Sequence, residues 1–202
     1  MTNGWTTANL REGIKRVSEK IAECADELNK LDGMLGDGDL GVTVARGFRS
    51  LVDELPNLPD DVGMALLKCA QAFTRVSGST YGTLLATGMM SAAKTTRGKT
   101  VISWREISPL LAEAINAMAR RGKSQLSDKT LLAAIEGARQ ATEGLDNPDE
   151  IVKAANAGVA MALEQFRHRP SRQGRARIWG EKSIGLDDPG MVAFKRIVEG
   201  LL

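Results

Sequence analysis

Histidine and cysteine are scarce in this chain: 202 residues contain one histidine, His168, and two cysteines, Cys24 and Cys69. That scarcity removes whole classes of chemistry. A Ser-His-Asp or Cys-His centre is hard to build around a lone histidine set between Arg167 and Arg169, which reads as a solvated loop side chain. Neither cysteine has a second cysteine or a histidine beside it in sequence, which argues against zinc. In a reduced compartment it also argues against a disulfide. Aromatics are only 4% of the chain and alternating β-branched runs are few, so an extensive sheet is not expected. No apolar run approaches the ~18 residues of a membrane span. The start, Met1-Thr2-Asn3-Gly4-Trp5, lacks the charged and apolar regions of a signal peptide, and cytoplasmic residence is the default expectation. The formal net charge of +2 carries no strong attraction to nucleic acid or to a membrane surface.

What is present is helix. Hydrophobic residues at 43% and charged residues at 26% give an ordinary globular balance, with material for one domain spanning residues 1–202. Leu10, Ile14, Val17, Ile21, Ala25 and Leu28 recur at three-to-four spacing and predict an amphipathic helix over 6–29. Further helices are expected over 42–54, stopped by Pro56 and Pro59, and over 60–75, 80–94, 129–143 and 189–202. Ser103 is the expected cap of a helix carrying Ile107, Leu110, Leu111, Ile115 and Met118. Asn147-Pro148-Asp149-Glu150 opens another, which runs to about Arg167 with Gly158 as an unfavourable interior residue. About eight helices and no βαβ alternation indicate an all-α domain.

The most informative segment is Leu31-Asp32-Gly33-Met34-Leu35-Gly36-Asp37-Gly38-Asp39-Leu40-Gly41. Glycine allows tight folding, so Asp32, Asp37 and Asp39 can aim at one point. Two carboxylates at ~4 Å repel by about 4 kcal/mol at an effective dielectric of ~20. Such a cluster is tolerated if a cation binds it, if protons are taken up, or if the groups point apart into water. Oxygen ligands suit magnesium or calcium, and magnesium commonly leaves positions for substrate phosphates. A metal–phosphate site and a solvated turn are both open on residue types alone. An EF-hand is excluded, because a loop starting at Asp37 has Gly41 at its fifth position and Phe48 at its twelfth. Gly122-Lys123-Ser124 and Gly98-Lys99-Thr100 are not Walker loops, since the required upstream glycines are Ala117 and Ala93.

Three other stretches stand out. Val76-Ser77-Gly78-Ser79-Thr80-Tyr81-Gly82-Thr83 places small hydroxyl residues at a helix start, where free N–H groups suit a phosphate. Arg121-Gly122-Lys123-Ser124-Gln125-Leu126-Ser127-Asp128-Lys129-Thr130 leads into a helix, with Ser127 or Asp128 as the expected cap. Residues 168–185 form a basic, glycine-containing loop, with Gly174-Arg175-Ala176-Arg177 and Gly180-Glu181-Lys182-Ser183-Ile184-Gly185, before Asp188-Pro189-Gly190. Its basic character can neutralise phosphate.

In order and spacing these four stretches resemble the nucleotide-binding L subunit of dihydroxyacetone kinases. Asp32 to Phe48 resembles L-D-x-x-x-G-D-x-D-H-G-x-N-M-x-R-G-F, and Val76 to Thr83 resembles A-S-G-P-L-Y-G-T. Arg121-Gly122-Lys123 and Asp128-Lys129-Thr130 resemble R-G-K and G-D-K-T. The last stretch resembles G-R-A-S-Y-L-G-E-R-S-I-G-x-x-D-P-G. The resemblance covers nearly the whole chain. It implies an antiparallel eight-helix barrel with ATP or ADP at one end, and two magnesium ions held by Asp32, Asp37 and Asp39. Leu40, Thr43, Val76, Ser77, Gly78, Gly122, Leu131, Arg175, Asp188, Pro189 and Gly190 would line the nucleotide. It further implies a homodimer, no catalytic side chain on this chain, and a ketose held on a separate K-type subunit that receives the γ-phosphoryl group.

The chain departs from the pattern at Leu40 and Thr43, where the family has His and Asn, and at Ser127, Ala133 and Leu186. The acids and, Leu186 apart, the Gly174–Gly190 stretch are intact, as expected of a working site in a divergent subgroup that acts on a ketose other than dihydroxyacetone. Two alternatives stand beside a kinase subunit using free ATP. One is a relay that keeps ADP bound and is recharged by a phosphotransfer protein. The other is a non-catalytic regulator or adaptor.

Overall fold

The computed structural model describes residues 4–202; Met1 to Asn3, part of the stretch read for a leader, lie outside the described residues. Among the described residues eight α-helices follow one another: α1 (Thr7–Leu35), α2 (Leu40–Glu54), α3 (Val62–Val76), α4 (Thr80–Thr96), α5 (Ile107–Gly122), α6 (Leu131–Ala141), α7 (Pro148–Arg167) and α8 (Pro189–Glu199). A two-residue strand β1 (Trp5–Thr6) pairs antiparallel with β2 (Val101–Ile102) and ties the start of α1 to the α4–α5 connection. No helix among the described residues is long and apolar enough to cross a membrane.

The expected helices all form, with shifted ends. The largest shift is in α1, which continues past Asn29 to Leu35 and so takes Asp32 into its last turn rather than into a loop. Leu28 and Leu35, two turns apart on the core-facing stripe, are both buried and hold that extension down. Thr130, not Ser127 or Asp128, caps α6, its hydroxyl accepting the Leu132 N–H at 3.3 Å. Asp128 instead accepts the Gln125 N–H within the preceding turn. Asn147 caps α7 as expected, accepting from Asp149 and Glu150, with Pro148 in the first turn. Ser103 caps a short 3₁₀ turn, Trp104–Glu106, that leads into α5, and Glu106 closes the reciprocal bond to the Ser103 N–H.

Each helix packs on the next in chain order, and α8 packs back on α1. The result is an all-α, antiparallel up-and-down ring of eight helices. Its core joins Ile21 and Leu28 of α1, Val44 of α2, Phe73 of α3, Val159 of α7 and Met191 of α8. Phe48 and Phe73 meet edge to face with ring centroids 5.9 Å apart. An apolar cavity of about 780 Å³ lies within the ring, its lining including Trp5, Phe73, Met89, Trp104, Phe194 and Leu201. Cys24 and Cys69 are buried free thiols, and burial pushes the Cys69 thiol up to about 12.

Gly158, unfavourable by helix propensity, has a packing reason. A Cβ there would lie 2.2 Å from the Gly137 carbonyl oxygen, and one on Gly137 would lie 2.5 Å from that of Gly158. The two glycines therefore let α6 and α7 touch backbone to backbone. Gly158→Ala gains about 1 kcal/mol of helix propensity but forces the helices apart. The expected net loss is about 1–3 kcal/mol, lowering Tm by roughly 3–10 °C in thermal unfolding. Gly88→Ala, whose Cβ would press only on the flexible Met118 side chain and meet Ala114 at an ordinary 3.6 Å, serves as control and should be close to neutral.

Candidate functional site

In an up-and-down ring, alternate connections share an end. Segments 36–39, 77–79, 123–130 and 168–188 therefore gather at one rim, with the C-termini of α1, α3, α5 and α7 and the N-termini of α2, α4, α6 and α8. All four stretches singled out in the sequence fall on that rim. Direct contacts join them. Arg175 pairs with Asp37. The Lys129 ammonium donates to the Ser183 carbonyl at 2.9 Å. A Cβ on Gly190 would sit 3.4 Å from the Tyr81 ring, and one on Gly122 would sit 3.3 Å from Leu84.

Asp32, Asp37 and Asp39 converge: each offers one carboxylate oxygen, and the three lie within 4.8 Å of one another. The local chain explains how. Asp32 is fixed on the last turn of α1, and its Oδ2 accepts the N–H groups of Gly38 at 2.9 Å and Asp39 at 3.1 Å. Gly38 takes φ +78°, reversing the chain into α2. Gly36 is required by proximity, since a Cβ there would lie 2.4 Å from Asp32 Oδ1. Asp39 sits at the N-cap of α2, yet its side chain makes no capping bond. Asn29 of α1 takes over part of that task by accepting the Val42 N–H at 3.2 Å. The Asp39 carboxylate is thus left for the cluster. At such spacing each pair of charges repels by about 3–4 kcal/mol at an effective dielectric of ~20. Arg175, itself exposed, relieves Asp37 only. The donor set is oxygen alone, half-buried to exposed, and fits a hard divalent cation such as magnesium.

Beside the acids, α4 begins. Ser79 caps it by accepting the Gly82 N–H at 3.0 Å, and the Ser77 and Ser79 hydroxyls lie 3.2 Å apart. Gly78 is exposed, and a Cβ there would meet only open space. Val76 is half-buried at the end of α3. Across the rim, Asp188 caps α8 by accepting the Met191 N–H at 2.9 Å, with Pro189 buried behind it. Burial pushes the Asp188 carboxyl up to about 6; the Met191 bond and Lys129 oppose that rise, and Asp32 adds to it. The Tyr81 hydroxyl nearby is buried without a hydrogen-bond partner. Leu40 and Leu131 are buried with their side chains in the core, so only their backbones face the rim, while Thr43 and Gly122 are half-buried. His168 is exposed, as the sequence suggested. Reasoning from residue patterns assigned no role to Asn29, Tyr81 or Lys129, because each acts through a tertiary contact that leaves no periodic or spacing signal.

The family profile described as the DAK2 domain matches residues 34–202. The chain belongs to the DAK2 domain family. The match takes in Asp37 and Asp39 and starts just after Asp32. Among curated relatives of this DAK2 protein, the PEP-dependent dihydroxyacetone kinase, ADP-binding subunit DhaL, of Escherichia coli is 29% identical, over 93% of this chain and 92% of its own length. The PTS-dependent dihydroxyacetone kinase, ADP-binding subunit DhaL, of Lactococcus lactis is 30% identical, over 95% and 94%. The same fold occurs in the dihydroxyacetone kinase from C. freundii solved in complex with AMP-PNP and Mg²⁺. Its TM-score is 0.76 at 21% identity, covering all of this chain and 34% of that longer one.

The raised Asp188 carboxyl sets a pH dependence. An unfolded aspartate titrates near 3.9, so between that value and about 6 the folded state binds more protons than the unfolded one. The contribution is complete below pH ~4 and is lost as pH rises through ~6, by up to about 3 kcal/mol. Denaturant unfolding of the metal-free protein from pH 4 to 7 should show the native chain losing stability relative to Asp188→Asn. A difference that stays constant with pH would refute the assignment.

Proposed function

We propose that this chain is the magnesium–nucleotide-binding, phosphoryl-donating subunit of a dihydroxyacetone-kinase-like enzyme, and that residues 1–202 act as one such domain. The observation that carries the reading is the convergence of Asp32, Asp37 and Asp39 within 4.8 Å at the rim where four helix N-termini open. Carboxylates alone repel a polyphosphate; carboxylates holding divalent ions beside helix N-termini attract one. In this reading the three aspartates hold two magnesium ions. Bound magnesium would offset charge on the phosphate oxygens and help fix them in line for transfer.

The remaining roles belong to the chain itself. Ser77 and the open backbone at Gly78 receive phosphate oxygens at the start of α4. Arg175 brings a guanidinium to the anionic group from the 168–188 loop. Leu40, Thr43, Val76, Gly122, Leu131 and the Asp188-Pro189-Gly190 turn border the nucleotide, the two leucines through backbone. His168 is exposed where the 168–188 loop leaves α7 and Asp188 is engaged in capping α8, so we assign neither as a catalytic base, in keeping with a subunit that supplies charge and position while a ketose is bound on a separate K-type subunit.

A second reading, the relay, is favoured by the names of the relatives, which are ADP-binding subunits of PEP- or PTS-dependent kinases. In that form ADP stays bound and is rephosphorylated in place by a phosphotransfer protein. Calorimetry with magnesium-ADP on the native chain and on Asp37→Asn tests both. We expect clear binding by the native chain and a loss of at least about 100-fold in the variant, about 2.7 kcal/mol. ADP that co-purifies and fails to exchange would select the relay. An absence of magnesium-dependent binding would leave a regulator or adaptor and end the kinase reading.

A further inference from the structure

Lys129 is 2% exposed, an unusual place for an ammonium group. Its three N–H donors reach three backbone carbonyls: Arg167 at 3.4 Å, Arg169 at 3.1 Å and Ser183 at 2.9 Å. Donors and acceptors match one for one, so the buried charge is fully hydrogen-bonded. The carbonyls come from two different places. Arg167 and Arg169 lie at and just beyond the C-terminus of α7, and Ser183 ends the 3₁₀ segment Arg175–Ser183. Both are C-terminal ends, where carbonyl dipoles favour a cation.

These acceptors are the two ends of one loop. Residues 168–188 leave α7, carry Arg175 to Asp37, and return to cap α8 with Asp188. The neck has other bonds: the Gly185 N–H donates to the Arg167 carbonyl at 2.8 Å, the Ser171 N–H to Ser183 Oγ at 2.7 Å, and Ser183 Oγ to the Gly180 carbonyl at 2.6 Å. Arg167 also pairs through two nitrogens with Asp187, at 2.9 and 3.0 Å. Arg167 reaches the neck from the adjoining end of α7, whereas Lys129 brings its charge from a different part of the chain, the residue before the α6 cap. Beyond the neck, Arg172, Arg175, Arg177, Ile178 and Trp179 are exposed.

We propose that Lys129 is a positioning residue for nucleotide binding: it clamps the neck of the 168–188 loop and thereby holds Arg175 over the acid cluster. This rests on the proposed function for the nucleotide, but the clamp itself is separately measurable. The amides that should report on it are those of Ser171, Ile184, Gly185 and Leu186, each bonded within or across the neck.

The experiment compares the native chain, Lys129→Met, Lys129→Arg, Arg175→Ala and the Lys129→Met/Arg175→Ala pair. Hydrogen exchange without ligand should show at least ten-fold faster exchange at the neck amides in Lys129→Met, with α1 to α4 unchanged and partial recovery in Lys129→Arg. Magnesium-ADP affinity should fall about ten-fold in Lys129→Met and in Arg175→Ala. The double variant should be no more than two- to three-fold weaker than Arg175→Ala, because both changes remove the same contribution. Additive, roughly hundred-fold loss in the double variant, or unchanged exchange at the neck, overturns the proposal. If Lys129→Met does not fold, Ser183→Ala, which breaks the neighbouring neck bonds, must give the same exchange pattern and the same non-additivity with Arg175→Ala. Should the native chain bind no magnesium-ADP, the proposed function fails and the exchange measurement alone decides the clamp.

Discussion

Closure of the ring by α8 against α1 is the constraint on which the rest of this molecule depends. Once eight antiparallel helices close in chain order, four connections are forced to one end, and residues far apart in sequence become neighbours, as Asp37 and Arg175 do. Each helix N-terminus presents roughly half a positive charge through its free N–H groups. The starts of α2, α4, α6 and α8 all face this rim. The C-termini of α1, α3, α5 and α7 share that rim, so the N-terminal charges act locally rather than as a general positive bias, and Asp32, on the last turn of α1, stands at a negative helix end. Topology thus sets cation-favouring and anion-favouring helix ends side by side, an arrangement that suits a metal and a phosphate bound together on the proposed reading.

Rigid placement is the second requirement, and Asp32 illustrates how it is met. It stands on a helix of 29 residues anchored by the core, and it orders the turn that follows by accepting two backbone N–H groups. One oxygen builds the loop and the other remains for a ligand. Asn29, one turn earlier, performs the capping that Asp39 would otherwise supply. The opposite wall is less secure. Residues 168–188 form a long connection with little regular structure, held at the neck by Lys129, by the Ser171–Ser183 bond and by Arg167 with Asp187. On the proposed reading, the metal ligands belong to the helix-anchored wall and the basic residues to the loop wall, so the two kinds of contact with a polyphosphate come from separate parts of the chain.

Much of this was legible in the residues. Apolar spacing located α1 and α5, because each buries a stripe against its neighbours and periodicity records that directly, while proline, capping and composition signals bounded others. Asn147-Pro148 and Asp188-Pro189 marked two helix starts through local chemistry alone. The acid cluster was legible as a candidate, with a solvated turn equally open until the fold brought the three carboxylates together. What escaped detection was tertiary. The extension of α1 through Gly33 depends on Leu35 finding the core, which no local rule reports. Gly158 looked like a flaw until its contact with Gly137 appeared. Lys129 was read only as part of the Asp128-Lys129-Thr130 stretch at a helix start, and only the fold reveals carbonyls from two segments around it.

The departures at Leu40 and Thr43 can now be weighed in structural terms. Leu40 opens α2 with its side chain in the core, and the Thr43 N–H is engaged by the Asp39 carbonyl at 2.9 Å. Neither change disturbs the backbone that presents the N-terminus of α2 or the turn that gathers the aspartates. A polar side chain at position 40 could reach toward the rim; leucine instead adds to the core and leaves the helix N-terminus to act through its N–H groups. The substitutions therefore exchange side-chain contacts for core packing while the charge arrangement stays intact. On the proposed reading, divergence of this kind alters how the phosphate tail is gripped, whereas the choice of ketose is made on the partner subunit, which these positions do not form.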